Sequence, residues 1–204
     1  ILSGVWAVFV DGMDQCVLID QRTYPQRTTS EPDQDKSFRG SRDGFVETMV
    51  FNAALIRRRI RSPRLCVEHL EVGETSRTDV AVCYFEGRAD PELVNTVRER
   101  IAQARVDALT MNQESLAELL VRKRWYNPFP KFKFTERPDA AAAQILEGDV
   151  VVLVDNSPAA IILPTTLFDV MEEANDYYFP PITGSYLRLV RFFTTFLTTF
   201  LTPV

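Results

Sequence analysis

The side chains best placed to do chemistry in this chain are arginines, and the chemistry they suggest is the holding of anions or acidic surfaces. Arg39-Gly40-Ser41-Arg42-Asp43-Gly44 lies just ahead of an amphipathic stretch. Free backbone N–H groups and the positive end of a helix dipole favour an anion there, and Arg39 and Arg42 would complete such a site. The same string also reads as a capped helix start, with Ser41 or Asp43 supplying the cap. Arg57, Arg58, Arg59 and Arg61 close the stretch, where the helix dipole and solvent both favour cations. No aromatic residues are interleaved with them, which argues against a nucleic-acid surface and for a charged helix end facing solvent, a neighbouring subunit or lipid headgroups. In Thr135-Glu136-Arg137-Pro138-Asp139 an acid and a base side by side precede a proline suited to the first helical position. Glu136 and Arg137 are read as an ion pair that locks a helix start, and as a candidate subunit contact.

A fourth pattern is polar without charge. Thr194-Thr195-Phe196-Leu197-Thr198-Thr199-Phe200-Leu201-Thr202 repeats every four residues. At about 100° per residue, Thr194, Thr195, Thr198, Thr199 and Thr202 gather on one side of a helix and the Phe and Leu on the other. Such a threonine face packs on another membrane helix or lines a polar pathway. The 13 residues from Phe192 to Val204 carry no charge, against about 20 needed to cross a bilayer core. Read as the opening of a membrane helix behind Arg188 and Arg191, the stretch puts the residues before it on the cytoplasmic side, where Lys and Arg beside a membrane segment are retained.

Other chemistries find no support. The single histidine, His69, sits in an apolar-alternating run, and without a second histidine no His-based metal cluster forms. No nucleophile elbow, phosphate loop or dinucleotide fingerprint occurs. The expectation is of a protein that is not an enzyme and uses no cofactor. A net charge of −5 gives no general attraction to nucleic acid. Cys16, Cys66 and Cys83 each lie in a strand-like apolar run, which reads as packed thiols in a reducing compartment rather than a disulfide framework. No signal peptide opens the chain, and an Ile in place of Met suggests a start that lies further upstream.

The elements that must position these residues alternate between strand and helix. Two β-branched runs flank Asp11-Gly12, a hairpin signal, and a shift of 144 positions aligns Ile1 to Asp11 with Ile145 to Asp155, again followed by a second apolar strand. Two similar hairpins by chance, or a duplicated α/β unit, would both give this match. Residues 21–42 read as a long exposed loop. Phe45, Met49, Ala53, Ile56 and Ile60 fall at helical spacing, predicting a helix over 43–61 that Pro63 stops. Strands are expected at 65–72 and 79–85, a helix at 91–104 capped by Asp90-Pro91, a short strand near Val106, and helices at 114–122, from about Pro138 to Leu146 and from Pro164 to about Glu173. Residues 125–134 read as an aromatic-proline loop. The fold class is α/β, with mixed sheets and flanking helices.

Taken together, the strings Arg39 to Glu47, Leu55 to Arg61, Ser76 to Val82, Asn127 to Pro130, Thr135 to Asp139, Asp155 to Pro158 and Tyr186 to Arg191 resemble the A-subunit family of bacterial spore germinant receptors. Leu163 to Thr166, Asp176 to Tyr178 and Gly184 to Tyr186 are similar to one sporulation branch of it. The resemblance runs through the whole chain in order. It implies a cytosolic region of two related α/β subdomains before several membrane helices, in an oligomeric protein of the spore inner membrane that conducts ions during germination beside other germination proteins. On that frame, residues 1–42 are the hairpin and loop of a first α/β subdomain, 43–64 a connecting amphipathic helix, 65–182 the second α/β subdomain and 183–204 the start of a transmembrane helix. An alternative is a sensor domain that holds a small molecule between its two subdomains.

Overall fold

The computed structural model describes residues 6–12, 15–19, 28–32, 41–104, 113–120, 131–166 and 181–201. Two sheets are present among them. β1 (Trp6–Phe9) and β2 (Cys16–Ile19) form an antiparallel hairpin, and five strands in the order β3-β4-β6-β7-β5 form the larger sheet. These are β3 (Leu65–Val72), β4 (Thr78–Phe85), β5 (Lys133–Thr135), β6 (Val150–Val154) and β7 (Ala160–Leu163). Every pairing described is antiparallel, which corrects the mixed sheet expected from sequence. The physical reason is that β3–β4 and β6–β7 are both hairpins, and β4 meets β6 antiparallel, pairing Val80 with Val154 and Cys83 with Val151.

Helices cover both faces of this sheet. α1 (Met49–Arg59) and α4 (Pro138–Glu147) lie on one side, where Leu55, Ile56, Ala141 and Ile145 pack with Ala81, Cys83, Val151, Leu153 and Ile162. α2 (Pro91–Ala102) and α3 (Gln113–Leu120) cover the other, where Val94, Val97, Ile101 and Leu116 meet Val80, Val82, Val152, Val154 and Ile161. Because both faces are covered, β6 and β7 are buried at every position and read as unbroken apolar runs. Each large apolar side chain so buried contributes about 1.5–3 kcal/mol, which makes this sandwich the stable body of the molecule.

Local signals mark the helix ends. Asp90 accepts a bond from the Glu92 N–H and Pro91 opens α2. Gly148 closes α4 at φ +117°, its N–H reaching Ile145 O while the Asp149 N–H reaches Gln144 O. A Cβ at Gly148 would stand 2.9 Å from Arg88 O. Helix α1 departs from expectation: it begins at Met49 rather than at Asp43, because residues 43–48 bond to other elements instead of to one another. It packs on the sheet through Leu55 and Ile56. The strand expected near Val106 and nearly all of the helix expected at 164–173 fall outside the described residues.

The two hairpins share one register. Trp6↔Ile19, Ala7↔Leu18, Val8↔Val17 and Phe9↔Cys16 become, after the shift of 144, Val150↔Leu163, Val151↔Ile162, Val152↔Ile161 and Leu153↔Ala160, which are the pairs observed. Their surroundings differ, since Trp6, Phe9 and Val17 are exposed. The three cysteines are free, and Cys83 is packed as expected, but Cys16 on β2 is exposed. α5 (Pro181–Leu201), of 21 residues, completes the described elements. Among the described residues no helix is long and apolar enough to cross a membrane.

Candidate functional site

Three of the strings singled out from sequence meet around residues 41–48, a strap without regular secondary structure that passes α1 and the start of α4. The Phe45 N–H donates to Glu136 O at 2.8 Å. Val46 is bound by the buried Asn52, whose Oδ1 accepts from the Val46 N–H at 2.8 Å and whose amide nitrogen donates to Val46 O. Glu47 O accepts from the Asn156 N–H at 2.8 Å, and the Met49 N–H donates to Asp155 Oδ1 at 3.0 Å. Helix α1 is thus capped from the β6–β7 turn, not by Ser41 or Asp43, and Thr48 at the cap position makes no side-chain bond to it.

The arginines hold the outer end of the strap. Arg58 Nη2 lies 2.6 Å and Arg59 Nη2 3.2 Å from Asp43 Oδ2, and Arg59 Nη2 also donates to Ser41 Oγ at 2.9 Å. Arg137, only 2% exposed, pairs with Asp139 through Nε at 3.0 Å and Nη2 at 2.6 Å, and Nη2 reaches Ser41 O at 3.4 Å. The ion pair at this helix start therefore runs forward from Arg137 to Asp139, where sequence suggested Glu136 with Arg137. Burial alone would raise the Asp139 carboxyl, but its bonds to Arg137, a backbone bond from Ala140 and the charge of Arg59 hold it below its ordinary value. Arg57 donates to Ser62 O and Arg61 to Arg58 O, both from exposed positions. Arg42 is exposed, and Arg39 lies outside the described residues.

What this arrangement can do chemically follows from its charges. Arg58, Arg59 and Arg137 each face a carboxylate of the chain itself, so the place an anion would take is filled by Asp43 and Asp139. The cluster fastens a segment. Sequence reasoning missed Asn52, a polar residue inside an apolar helical period, and Asp155 and Asn156, whose only signal was the Asp155 to Pro158 string. Asn156 stands at φ 60°, a left-handed turn conformation that asparagine tolerates.

A second polar network ties α2 to the edge strand β3. Arg98 forks onto Glu68 at 2.9 and 2.7 Å, and the Tyr84 hydroxyl donates to Glu68 at 2.6 Å. The Arg98 bonds outweigh burial and hold Glu68 below its ordinary value, while the bond to Glu68, reinforced by burial, raises Tyr84. His69 is exposed on β3.

Helix α5 presents its apolar side outward. Ile182, Tyr186, Leu189, Phe193 and Phe196 are 86, 66, 64, 58 and 50% exposed, whereas Gly184 is buried and Leu187, Arg188, Arg191 and Thr195 are half-buried. The threonine hydroxyls turn back on the helix: Thr194 donates to Val190 O, Thr195 to Arg191 O and Thr198 to Thr194 O. The side chain of Thr199 and the whole of Thr202 lie outside the described residues. Among the described residues, no group of three or more His, Cys, Asp or Glu is arranged to hold a metal ion.

Comparison with known proteins bears on all of these residues. A family model described as Bacillus/Clostridium GerA spore germination protein matches residues 1–204. Stage V sporulation protein AF of Bacillus subtilis (strain 168) is 49% identical over 204 residues, 100% of this chain and 41% of that protein. Spore germination protein A1 of the same organism is 33% identical over 100% of this chain and 42% of its own length. The chain thus spans about two fifths of these curated relatives. A crystal structure of the N-terminal domain of the A subunit of the Bacillus megaterium spore germinant receptor GerK3 aligns with 61% of this chain and 97% of that one, at 32% identity and a TM-score of 0.48.

Proposed function

Because the chain belongs to the GerA spore germination protein family, we propose that it is the cytoplasmic-side, N-terminal region of a spore-membrane germination protein, serving subunit assembly and coupling to an ion-conducting membrane part. The observation that carries this reading is the outward apolar side of α5. A helix in water turns such a side inward. Here Ile182, Tyr186, Leu189, Phe193 and Phe196 face out and the two arginines sit on the half-buried side, the pattern of a helix whose outer solvent is lipid or another helix. Thr194, Thr195 and Thr198, bonded to carbonyls of their own helix, suit the same surroundings, since those three hydroxyls need no water.

On this reading α5 opens the first transmembrane helix, residues 1–42 belong to a first α/β subdomain of which β1–β2 is the centre, and the sandwich is the second. The equal register of the two hairpins supports the pairing of subdomains. The partners are further copies of the chain and other germination proteins of the spore inner membrane. Arg57 and Arg61, exposed at the C-terminal end of α1, are the side chains offered to a neighbour. Arg58 and Arg59 are excluded because both fasten the strap through Asp43.

The experiment is made on the full-length protein. Arg57 and Arg61 changed together to Glu should reduce oligomer size in detergent, with the folded core intact; an unchanged oligomer removes the assembly role. Cysteine in place of Phe196 should resist a water-soluble maleimide in vesicles, and ready labelling there would sink the membrane role of α5. Thermal shift against amino acids, sugars and nucleotides separates the sensor reading, because a ligand at 100 times its Kd adds about 2.7 kcal/mol; no shift is expected.

A further inference from the structure

Residues 41–48 are anchored unequally along their length. Toward Thr48 the anchors are buried: Phe45 is 2% and Val46 0% exposed, and Asn52, at 1%, holds Val46 by both backbone groups. Toward Ser41 they are ionic and only partly buried. Asp43, with its side chain 32% exposed, meets Arg58 at 61% and Arg59 at 17%, and Arg59 also holds Ser41 Oγ. The change falls at Gly44, where a Cβ would stand 2.7 Å from Ser30 O. Exposed ion pairs hold weakly and are screened by salt, whereas a buried amide that loses its partners is left unsatisfied.

We propose that residues 41–43 are a releasable ionic latch: they leave Arg58 and Arg59 together while residues 45–48 stay in place. Local charge then makes or breaks the tie between the basic end of α1 and the part of the chain that carries β1–β2. Release leaves Arg137 satisfied, because its shorter bonds go to Asp139. The latch stands on this geometry; only its use in coupling rests on the function proposed above.

Spin-label distances test it. In a background with Cys16 and Cys66 changed to Ser, one pair of labels is placed at Arg42→Cys and Glu99→Cys, and a control pair at Glu47→Cys and Glu99→Cys. Asp43→Asn should broaden the first distance distribution and leave the control unchanged. Raising NaCl from about 20 mM to about 500 mM should broaden the first pair of the unaltered latch about twofold, so the test survives if Asp43→Asn fails to fold. A first pair that stays narrow under both treatments overturns the latch, and so does joint broadening of both pairs, which would mean the strap detaches whole. The oligomer size of full-length Asp43→Asn reads the coupling role separately.

Discussion

The Asp155 carboxylate accepts the Met49 backbone N–H at 3.0 Å across 106 residues of sequence. A helix start leaves several N–H groups without intrahelical partners, and they are usually met by the residue at the cap position. Here that residue, Thr48, makes no such bond, and the β6–β7 turn supplies it while the neighbouring Asn156 N–H binds Glu47 O. Helix α1 and the β6–β7 turn therefore complete each other. Asp155→Ala should lower stability to urea by about 1 kcal/mol, the usual worth of a cap, and Thr48→Asp in that background should restore part of it. No change in the urea midpoint of Asp155→Ala would remove the cap from the account.

Asn52 carries a larger share of the same junction. It is 1% exposed and satisfies both the N–H and the C=O of Val46, itself fully buried. Asn52→Leu keeps the number and branching of side-chain heavy atoms and leaves both groups unpaired, a loss of about 1–3 kcal/mol for each. The expected outcome is a large fall in melting temperature by calorimetry, exceeding that of Asp155→Ala.

Acid should weaken the tie between α2 and β3. Glu68 is held below its ordinary value of 4.5 by its Arg98 bonds. A carboxylate whose folded-state pKa is depressed adds stability that is present above the unfolded value and lost as pH falls through the folded one. Melting temperature should hold from neutrality down to about pH 5 and decline below it, and the decline should be shallower in Glu68→Gln. Equal slopes in the two proteins would show that the pair contributes nothing to acid sensitivity.

The cysteines should separate by reactivity. Cys83 is buried in β4, and burial pushes its thiol up to about 12; Cys16 is exposed on β2. A thiol reagent at neutral pH should modify Cys16 at once and Cys83 only after unfolding, as peptide mapping would reveal. Rapid modification of Cys83 in the folded chain would contradict its place in the core.

How much of this was legible follows from where each signal is written. Asp90, Pro91, Pro138 and Gly148 mark helix ends within a residue or two of the ends themselves, so α2 and α4 could be read directly. The hairpins were legible from Asp11-Gly12 and from unbroken apolar runs. The start of α1 was not, because Phe45 and Met49 keep a helical spacing while Phe45 is in fact bound to Glu136. β5 has only three residues and sits in what reads as an aromatic-proline loop. At the candidate site the arginine strings were visible, but their partners were not: Asp43 for Arg58 and Arg59 lies 15 and 16 residues away, and Asp155 acts over 106. Only the fold brings such residues together.

One hairpin design occurs twice here in opposite solvation. In β6–β7 every residue is shielded, while in β1–β2 Trp6, Phe9 and Val17 meet water at 67, 73 and 58% exposure. A sequence suited to an interior but left on a surface is sticky, and strand edges that pair with nothing among the described residues offer backbone bonds to any similar strand. The colloidal behaviour of the isolated chain therefore depends on β1 and β2, together with the outward apolar side of α5, rather than on the sandwich that dominates its folding. Concentration, not temperature, becomes the first variable to control in handling it, and a lysine in place of Phe9 is the simplest remedy.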